Sequence, residues 1–274
     1  TSAMRREDYV PKSIAAGCDM FLFFNNIAED FGFMLKGYQN GVITEERLTD
    51  ALRRILGLKA KLHLPEKQAN GTLLRTREDL NVIGCEEHLQ WRAEAADKGI
   101  SLIKDTQNNL PINPVDHKRI RLYMLEGEKG GITDNGSKAQ QLFVDELTKR
   151  GYEVTVNERG SRVKGATLKY RDEVDFALEV ADIAGYGAQN NYRIQWSTAM
   201  ANEVPWFVWE VPHAFVSLNF TTHLHDATMV KTFVNAYHNN KETIKQVIDK
   251  LEGKSEFKGG HNDLVWTDKW QAKL

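Results

Sequence analysis

Short apolar runs alternate along the chain with amphipathic stretches, and this pattern predicts strands and helices in turn. Residues 19–24 consist of Asp19 and a continuous apolar run, a pattern typical of a strand buried on both faces. A helix is predicted over 29–41, because Asn40-Gly41 is a helix-stop signal. Thr44 is the predicted N-cap of the next helix, in which apolar residues recur at three- and four-residue spacing over 48–62. One strand with two helices is a piece of an α/β architecture and cannot close a core alone.

A linker is predicted at residues 64–77, because Pro65 ends the preceding helix and residues 66–71 are polar and turn-prone. From residue 78 the elements alternate again. The predicted strands are 100–104, 120–125, 152–156, 181–186, 206–211 and 214–220, and the predicted helices are 86–98, 137–150, 168–180, 229–237 and 241–251. Such alternation predicts a layered α/β sandwich with a mostly parallel sheet over 78–274, following a separate piece at 1–63.

Composition narrows the class of protein. The 274 residues carry a net charge of −2, which gives no electrostatic reason to expect a nucleic acid or an anionic membrane as partner. The longest apolar stretch, 20–24, is far short of the roughly 20 residues that span a bilayer. Cys18 and Cys85 lie in apolar settings and are predicted to be buried, reduced thiols. No signal peptide is visible, which favours a cytoplasmic over a secreted protein, but a chain that opens at Thr1 can be a fragment, so the compartment stays open.

Candidate carbohydrate contacts cluster after the predicted strand 181–186. Asn190, Arg193 and Trp196 combine hydrogen-bonding side chains with an aromatic ring that can stack on a sugar. The alternative is an ordinary loop in which Trp196 anchors the core. His213, between two predicted strands near a sheet edge, is interpreted either as lining a groove or as a polar turn residue.

Other candidate sites are weaker. Asn25 ends the predicted first strand, where it could contact substrate or cap a loop. His223, His225 and Asp226 are too closely spaced to surround a metal ion, and Asp226 is better explained as a helix N-cap. The glycines of 127–136 fit neither the dinucleotide nor the P-loop pattern. No metal and no cofactor are predicted.

Four stretches in order resemble glycoside hydrolase family 3. Residues 15–23 (Ala-Ala-Gly-Cys-Asp-Met-Phe-Leu-Phe) are similar to the signature before that family's last barrel strand, and 37–56 to its closing barrel helices. Residues 98–111 resemble the opening of its C-terminal domain, and 251–259 resemble its tail. The resemblance implies the family's α/β sandwich C-terminal domain, preceded by the last strand and helices of a truncated (β/α)8-type barrel.

The family comprises retaining glycosidases, which pair an Asp nucleophile with a separate acid/base. In its β-N-acetylglucosaminidase branch the acid/base is a His paired with an Asp. No residue here matches either motif, so no catalytic residue is assigned. The resemblance therefore implies the C-terminal part of an exo-glycosidase for β-linked N-acetylglucosamine, inactive by itself.

Two alternatives stay open: a β-glucosidase-like family member, and a non-catalytic module that binds a carbohydrate or a nucleotide. The β-glucosidase branch takes its acid/base Glu from the C-terminal domain, and no segment here matches that pattern. The expected partner is a small carbohydrate, with no nucleic acid and no membrane. Self-association is expected through the truncated barrel piece, because its apolar faces would lack partners.

Overall fold

A computed structural model describes residues 4–127, 138–163, 165–183, 193–266 and 272. The chain divides into two compact units, Thr1–Ile83 and Gly84–Leu274, which are described separately. The predicted linker, 64–77, falls inside the first unit, close to the division. Within the described ranges, no helix combines the length and the apolarity needed to cross a bilayer.

The first unit is built from helices. They are α1 (Arg6–Ala15), α2 (Ile27–Gln39), α3 (Glu45–Lys61) and α4 (Leu64–Ala69). The two longest begin at capping side chains, as their sequences favour. Asn26 accepts from the backbone N–H groups of Ala28 and Glu29, and Thr44 accepts from that of Arg47. The predicted helix near 29–41 and the predicted N-cap Thr44 are thereby confirmed.

The predicted strand at 19–24 is wrong. These residues adopt bends and irregular backbone, and Phe23 is 87% exposed. A strand exists only when neighbouring strands pair with its N–H and C=O groups, and no strand lies among the described residues of this unit. Both cysteines were predicted to be buried, but Cys18 is exposed and Cys85 is only partly buried. Seven apolar side chains of this run and of α2 are exposed and are together called the exposed apolar surface: Met20, Leu22, Phe23, Phe24, Ile27, Phe31 and Leu35.

The second unit holds a six-stranded sheet. Its strands are β1 (Ser101–Asp105), β2 (Arg119–Glu126), β3 (Glu153–Val156), β4 (Phe176–Asp182), β5 (His213–Ser217) and β6 (Thr232–Asn235), and its helices are α5 (Glu86–Gly99), α6 (Ala139–Lys149), α7 (Thr167–Glu173) and α8 (Lys241–Leu251). The strand order is β1-β6-β5-β4-β2-β3. Only the β1–β6 pair is antiparallel. The α/β fold with a mostly parallel sheet is confirmed.

The two faces of the sheet are covered differently. On one, the helix-covered face, α6 and α8 pack apolar side chains such as Phe143 and Val247 against Leu122, Leu178 and Val216. The other face lies under an irregular stretch, residues 193–211, here called the cover segment. Its apolar side chains, including Ile194, Phe207 and Val208, belong to two smaller clusters with residues of β2, β4 and β5.

Three predicted elements of this unit are wrong. The helix predicted over 168–180 ends at Glu173, and β4 follows with all seven residues buried. The strand predicted over 206–211 is a series of turns in the cover segment, and the helix predicted over 229–237 is replaced by β6. Strands buried on both faces lose the alternation that distinguishes them from a buried helix, so short apolar runs are ambiguous.

Candidate functional site

The carboxyl ends of the parallel strands define the edge where a site is expected. Ligands of open parallel sheets bind beyond those ends, where the strand order changes direction. Here β3 lies on one side of β2, whereas β4, β5 and β6 follow on the other.

A group of polar side chains lies at this edge, the carboxyl-end cluster of Asp182, Ser217, Asn219, His223 and Asn239. The carboxylate of Asp182 accepts from Asn239 Nδ2 at 3.2 and 3.1 Å and from Asn219 Nδ2 at 3.5 Å. Ser217 Oγ lies 2.9 Å from His223 Nδ1. Amide, carboxylate and imidazole groups can all bind sugar hydroxyls. In this structure they bond to one another and tie together the turns after β4, β5 and β6.

Arg193 and Trp196 lie on the cover segment. Arg193 Nε donates to both carboxylate oxygens of Asp226, at 2.8 and 2.9 Å, and the backbone N–H of Ile194 donates to Asp226 at 3.1 Å. Asp226 therefore anchors this segment instead of capping a helix, which corrects the N-cap prediction. Trp196 is more than half buried against the cluster that contains Phe215 and Phe233, as the core-anchor interpretation expects.

Two further residues, Asn190 and Asn25, were predicted to contact a carbohydrate. Asn190 lies outside the described residues. Asn25 belongs to the first unit, where it is exposed and its backbone N–H donates to Asp30 at 3.1 Å. Most of the glycine-rich stretch 127–136 also lies outside the described residues.

His213 lies inside the sheet, so the prediction of a turn near a sheet edge is wrong. It is the first residue of β5, which pairs with β4 and β6, and only 1% of it is exposed. Its Nε2 accepts from the backbone N–H of Lys231 at 2.8 Å. Burial lowers the pKa of His213 to about 4, so the imidazole is neutral at physiological pH. A ring enclosed in this way offers no surface for a carbohydrate to touch.

Sequence reasoning missed Glu179. This residue lies in the middle of β4, is 1% exposed, and accepts no hydrogen bond from any described residue. Burial, and after it the charge of Glu203, raises the pKa of Glu179 well above its ordinary range. The available signal was a single acid inside an apolar run, Phe-Ala-Leu-Glu-Val-Ala.

Glu203 is as buried as Glu179, but its carboxylate has a hydrogen-bond donor and a cation beside it. Its Oε1 accepts from the backbone N–H of Ser197 at 2.8 Å and lies 3.5 Å from Arg159 Nε. Burial opposes ionisation, but these hydrogen bonds and the charge of Arg159 lower the pKa of Glu203. An ionised Glu203 therefore fixes the cover segment to the turn that carries Arg159. Across the described ranges, no three His, Cys, Asp or Glu side chains are placed to hold a metal ion.

Comparison with known proteins shows which enzymes the chain resembles. No protein-family model matches the sequence. A β-N-acetylglucosaminidase/β-glucosidase from Cellulomonas fimi is 35% identical over 278 residues, covering 100% of this chain and 48% of that protein. The solved structure of a β-glucoside phosphorylase, BglX, is 34% identical with a TM-score of 0.81, covering 99% of this chain and 48% of that one.

A second solved structure shares the fold alone. It is a glycoside hydrolase family 3 β-N-acetylglucosaminidase from Paenibacillus, 15% identical with a TM-score of 0.62, covering 94% of this chain and 48% of that one. The chain spans about half the length of the relatives it matches. That half is the C-terminal part of their fold.

Proposed function

We propose that this chain belongs to glycoside hydrolase family 3 and that it is the C-terminal part of an enzyme that acts on β-linked glucosides or glucosaminides. The observation that carries the proposal is the 35% identity to the Cellulomonas enzyme, which extends over the whole chain and so over both units. The TM-score of 0.81 with a 34% identical enzyme supports it.

Between the two substrate classes we favour the β-N-acetylglucosaminide. The names of the Cellulomonas and Paenibacillus enzymes both include this activity. No segment of this chain matches the acid/base pattern of the β-glucosidase branch. The whole protein should therefore release aryl alcohol faster from an aryl N-acetyl-β-glucosaminide than from the aryl β-glucoside. A preference for the glucoside would overturn this choice without affecting the family assignment.

Phosphorolysis is a second candidate, because one of the similar structures is named a phosphorylase. In a retaining mechanism the glycosyl group passes from the enzyme carboxylate to an acceptor, which is water in hydrolysis and phosphate in phosphorolysis. The same assay, run with and without inorganic phosphate, separates the two. A sugar 1-phosphate product and a rate that rises with phosphate indicate phosphorolysis, whereas free sugar at an unchanged rate indicates hydrolysis.

We also propose that the chain by itself lacks glycosidase activity, since no residue matches the family's nucleophile or acid/base segment. Asn25, Asn190, Arg193 and Trp196 remain proposed carbohydrate contacts of the whole enzyme. Replacing Arg193 by Ala would test this in the whole enzyme, with Arg171→Ala as a matched control, because each side chain forms an exposed ion pair. A contact role predicts a higher KM for Arg193→Ala alone.

The exposed apolar surface of the first unit supports a proposal about assembly. Ile27, Phe31 and Leu35 recur at four-residue spacing and are all exposed on one side of α2. In the isolated chain this surface should drive self-association. Light scattering tests it: replacement of Phe31 and Leu35 by Ser should shift oligomers toward monomer, and a monodisperse wild-type monomer would contradict the proposal.

A further inference from the structure

Glu179 lies beneath the aromatic residues of the cover segment. On the sheet its cross-strand neighbour in β2 is Tyr123, and the ring of Phe207 stacks on Tyr123 with centroids 4.8 Å apart. Next to this pair, Trp206 contacts the ring of Tyr170 at 4.7 Å, and the hydroxyls of Tyr170 and Tyr123 are 2.9 Å apart. Two consecutive aromatic residues of the segment therefore pack on the groups that surround Glu179.

The polar atoms below this cover are incompletely paired. Both carboxyl oxygens of Glu179, the Oε2 of Glu203 and the Nε1 of Trp206 are buried and have no hydrogen-bond partner among the described residues. An ionised carboxylate without a partner is far more costly to bury than a neutral carboxylic acid. A second negative charge close to Glu203 would raise that cost further, because the low dielectric constant of a dry interior weakens the repulsion between two charges far less than water does.

We propose that Glu179 and the cover segment form a pH-sensitive latch, in which Glu179 is uncharged while residues 193–211 cover it, and its ionisation at higher pH lets the segment leave the sheet. Glu203 is the fixed charge of the latch, because Ser197 and Arg159 hold it ionised. The neutral acid is tolerated beside that charge, and the carboxylate is not.

Other titratable groups face Glu179 from each neighbouring element. From β2 they are Arg121 and Tyr123, from α7 Tyr170, and from β5 the neutral His213. Arg121 is the cation of this set and would favour an ionised Glu179. It lies opposite Ala177 in the sheet register, two residues from Glu179, and its Nε has no hydrogen-bond partner among the residues that the structure describes. The alternative to the latch is therefore an ionised Glu179 that forms an ion pair with Arg121.

The direction of the pH effect follows from the raised pKa of Glu179. The covered state binds the proton more tightly than an opened state, in which Glu179 returns to its ordinary pKa of about 4.5. Covering is therefore strongest at low pH. The equilibrium constant for opening should rise about tenfold per pH unit, from that ordinary value up to the pKa of the covered state.

Hydrogen exchange of the full chain tests the latch. Amide exchange in peptides from 197–211 would be followed at pH 5 and pH 8 in the wild type and in Glu179→Gln, which imitates the neutral acid. The change of pH alters the intrinsic exchange rates equally in the wild type and in the variant. The ratio of their observed rates at one pH therefore reports opening of the cover segment. At pH 5 the rates should agree within about fivefold, and the ratio of the wild-type rate to the Glu179→Gln rate should be at least about tenfold larger at pH 8 than at pH 5.

Two controls separate the latch from general loosening. Tyr123→Phe removes a hydroxyl contact without removing a charge, so its ratio to wild type should be the same at both pH values. Peptides from α8, on the helix-covered face, should show no dependence on Glu179. Wild-type infrared spectra should also contain a carboxylic-acid C=O band that disappears in Glu179→Gln.

Clear results would overturn the proposal. If Arg121 and Glu179 form an ion pair, Glu179→Gln would loosen 197–211 at pH 5 as much as at pH 8, and the acid band would be absent. Should Glu179→Gln fail to fold, the wild type alone decides. Opening of 197–211 that shows no additional pH dependence over α8 would then reject the latch.

Discussion

The two faces of the sheet differ in what they bury. Alternate residues of the central strands point to opposite faces. On the helix-covered face they are all apolar: Ile120, Leu122, Met124, Phe176, Leu178, Val180, Ala214 and Val216. Under the cover segment the same strands and β6 present Arg121, Tyr123, Glu179, His213 and Asn235. Both side-chain polar atoms of Asn235 are buried, and within the described ranges neither has a hydrogen-bond partner. The comparison indicates that the helix-covered face supplies most of the stability, whereas the cover-segment face carries groups whose charge can change.

The largest effect on stability is expected on the helix-covered face. Phe143 in α6 is fully buried there, so Phe143→Ala should lower the free energy of unfolding by about 4 kcal/mol through lost burial and the cavity left behind. Urea unfolding measures this. Val115→Ala, at a site 84% exposed, is the control and should change stability by less than about 0.5 kcal/mol. Similar values for the two variants would contradict the assignment of stability to this face.

A somewhat smaller loss is expected at Trp196 under the cover segment. Its ring is only partly buried, so Trp196→Ala should cost about 3 kcal/mol, at the low end for truncation of an aromatic residue. Trp209, 71% exposed in the same segment, provides the matched control, and Trp209→Ala should have little effect. A stable Trp196→Ala variant that loses sugar affinity would instead make Trp196 a binding residue.

The third effect depends on pH and sharpens the comparison. His213 has a folded pKa of about 4 against an ordinary value near 6.5, so the unfolded chain binds more protons between these values. Its contribution to stability is complete above pH 6.5 and is lost as the pH falls toward 4. Between pH 7 and pH 5 the loss should be about 2 kcal/mol. Urea unfolding of His213→Gln should lack this part of the pH dependence, and an unchanged dependence would show that other groups cause it.

Helices α2 and α3 of the first unit and strands β2 and β5 of the second were predictable, because local signals agreed with tertiary packing. Thr44 caps α3 as its side chain favours, and 120–125 is a strand within one residue at each end. The irregular run 19–24 shows the limit of such signals. Its sequence suits a doubly buried strand, but pairing partners are required for a strand to form.

The candidate site was predicted only in part. Arg193 and Trp196 could be singled out by residue type, but their anchoring through Asp226 is a contact between distant parts of the chain. His213 was placed at a turn because the apolar run before it resembles a strand. Glu179 was overlooked because an acid within an apolar run gave no sign that both faces of β4 would be buried. Periodicity reports burial on one face, and these positions depend on what covers the other.

Assay of the chain alone tests the central claim most directly, namely that this chain is the part of a family 3 enzyme that lacks the catalytic nucleophile and the acid/base. Loss of one member of a catalytic unit typically costs roughly 10⁴- to 10⁶-fold in rate, and here both members are expected to be missing. Purified chain given an aryl N-acetyl-β-glucosaminide or an aryl β-glucoside should release aryl alcohol at the buffer rate, while the whole protein turns over at least one of them. Saturable turnover that copurifies with the chain and survives re-expression would contradict the account.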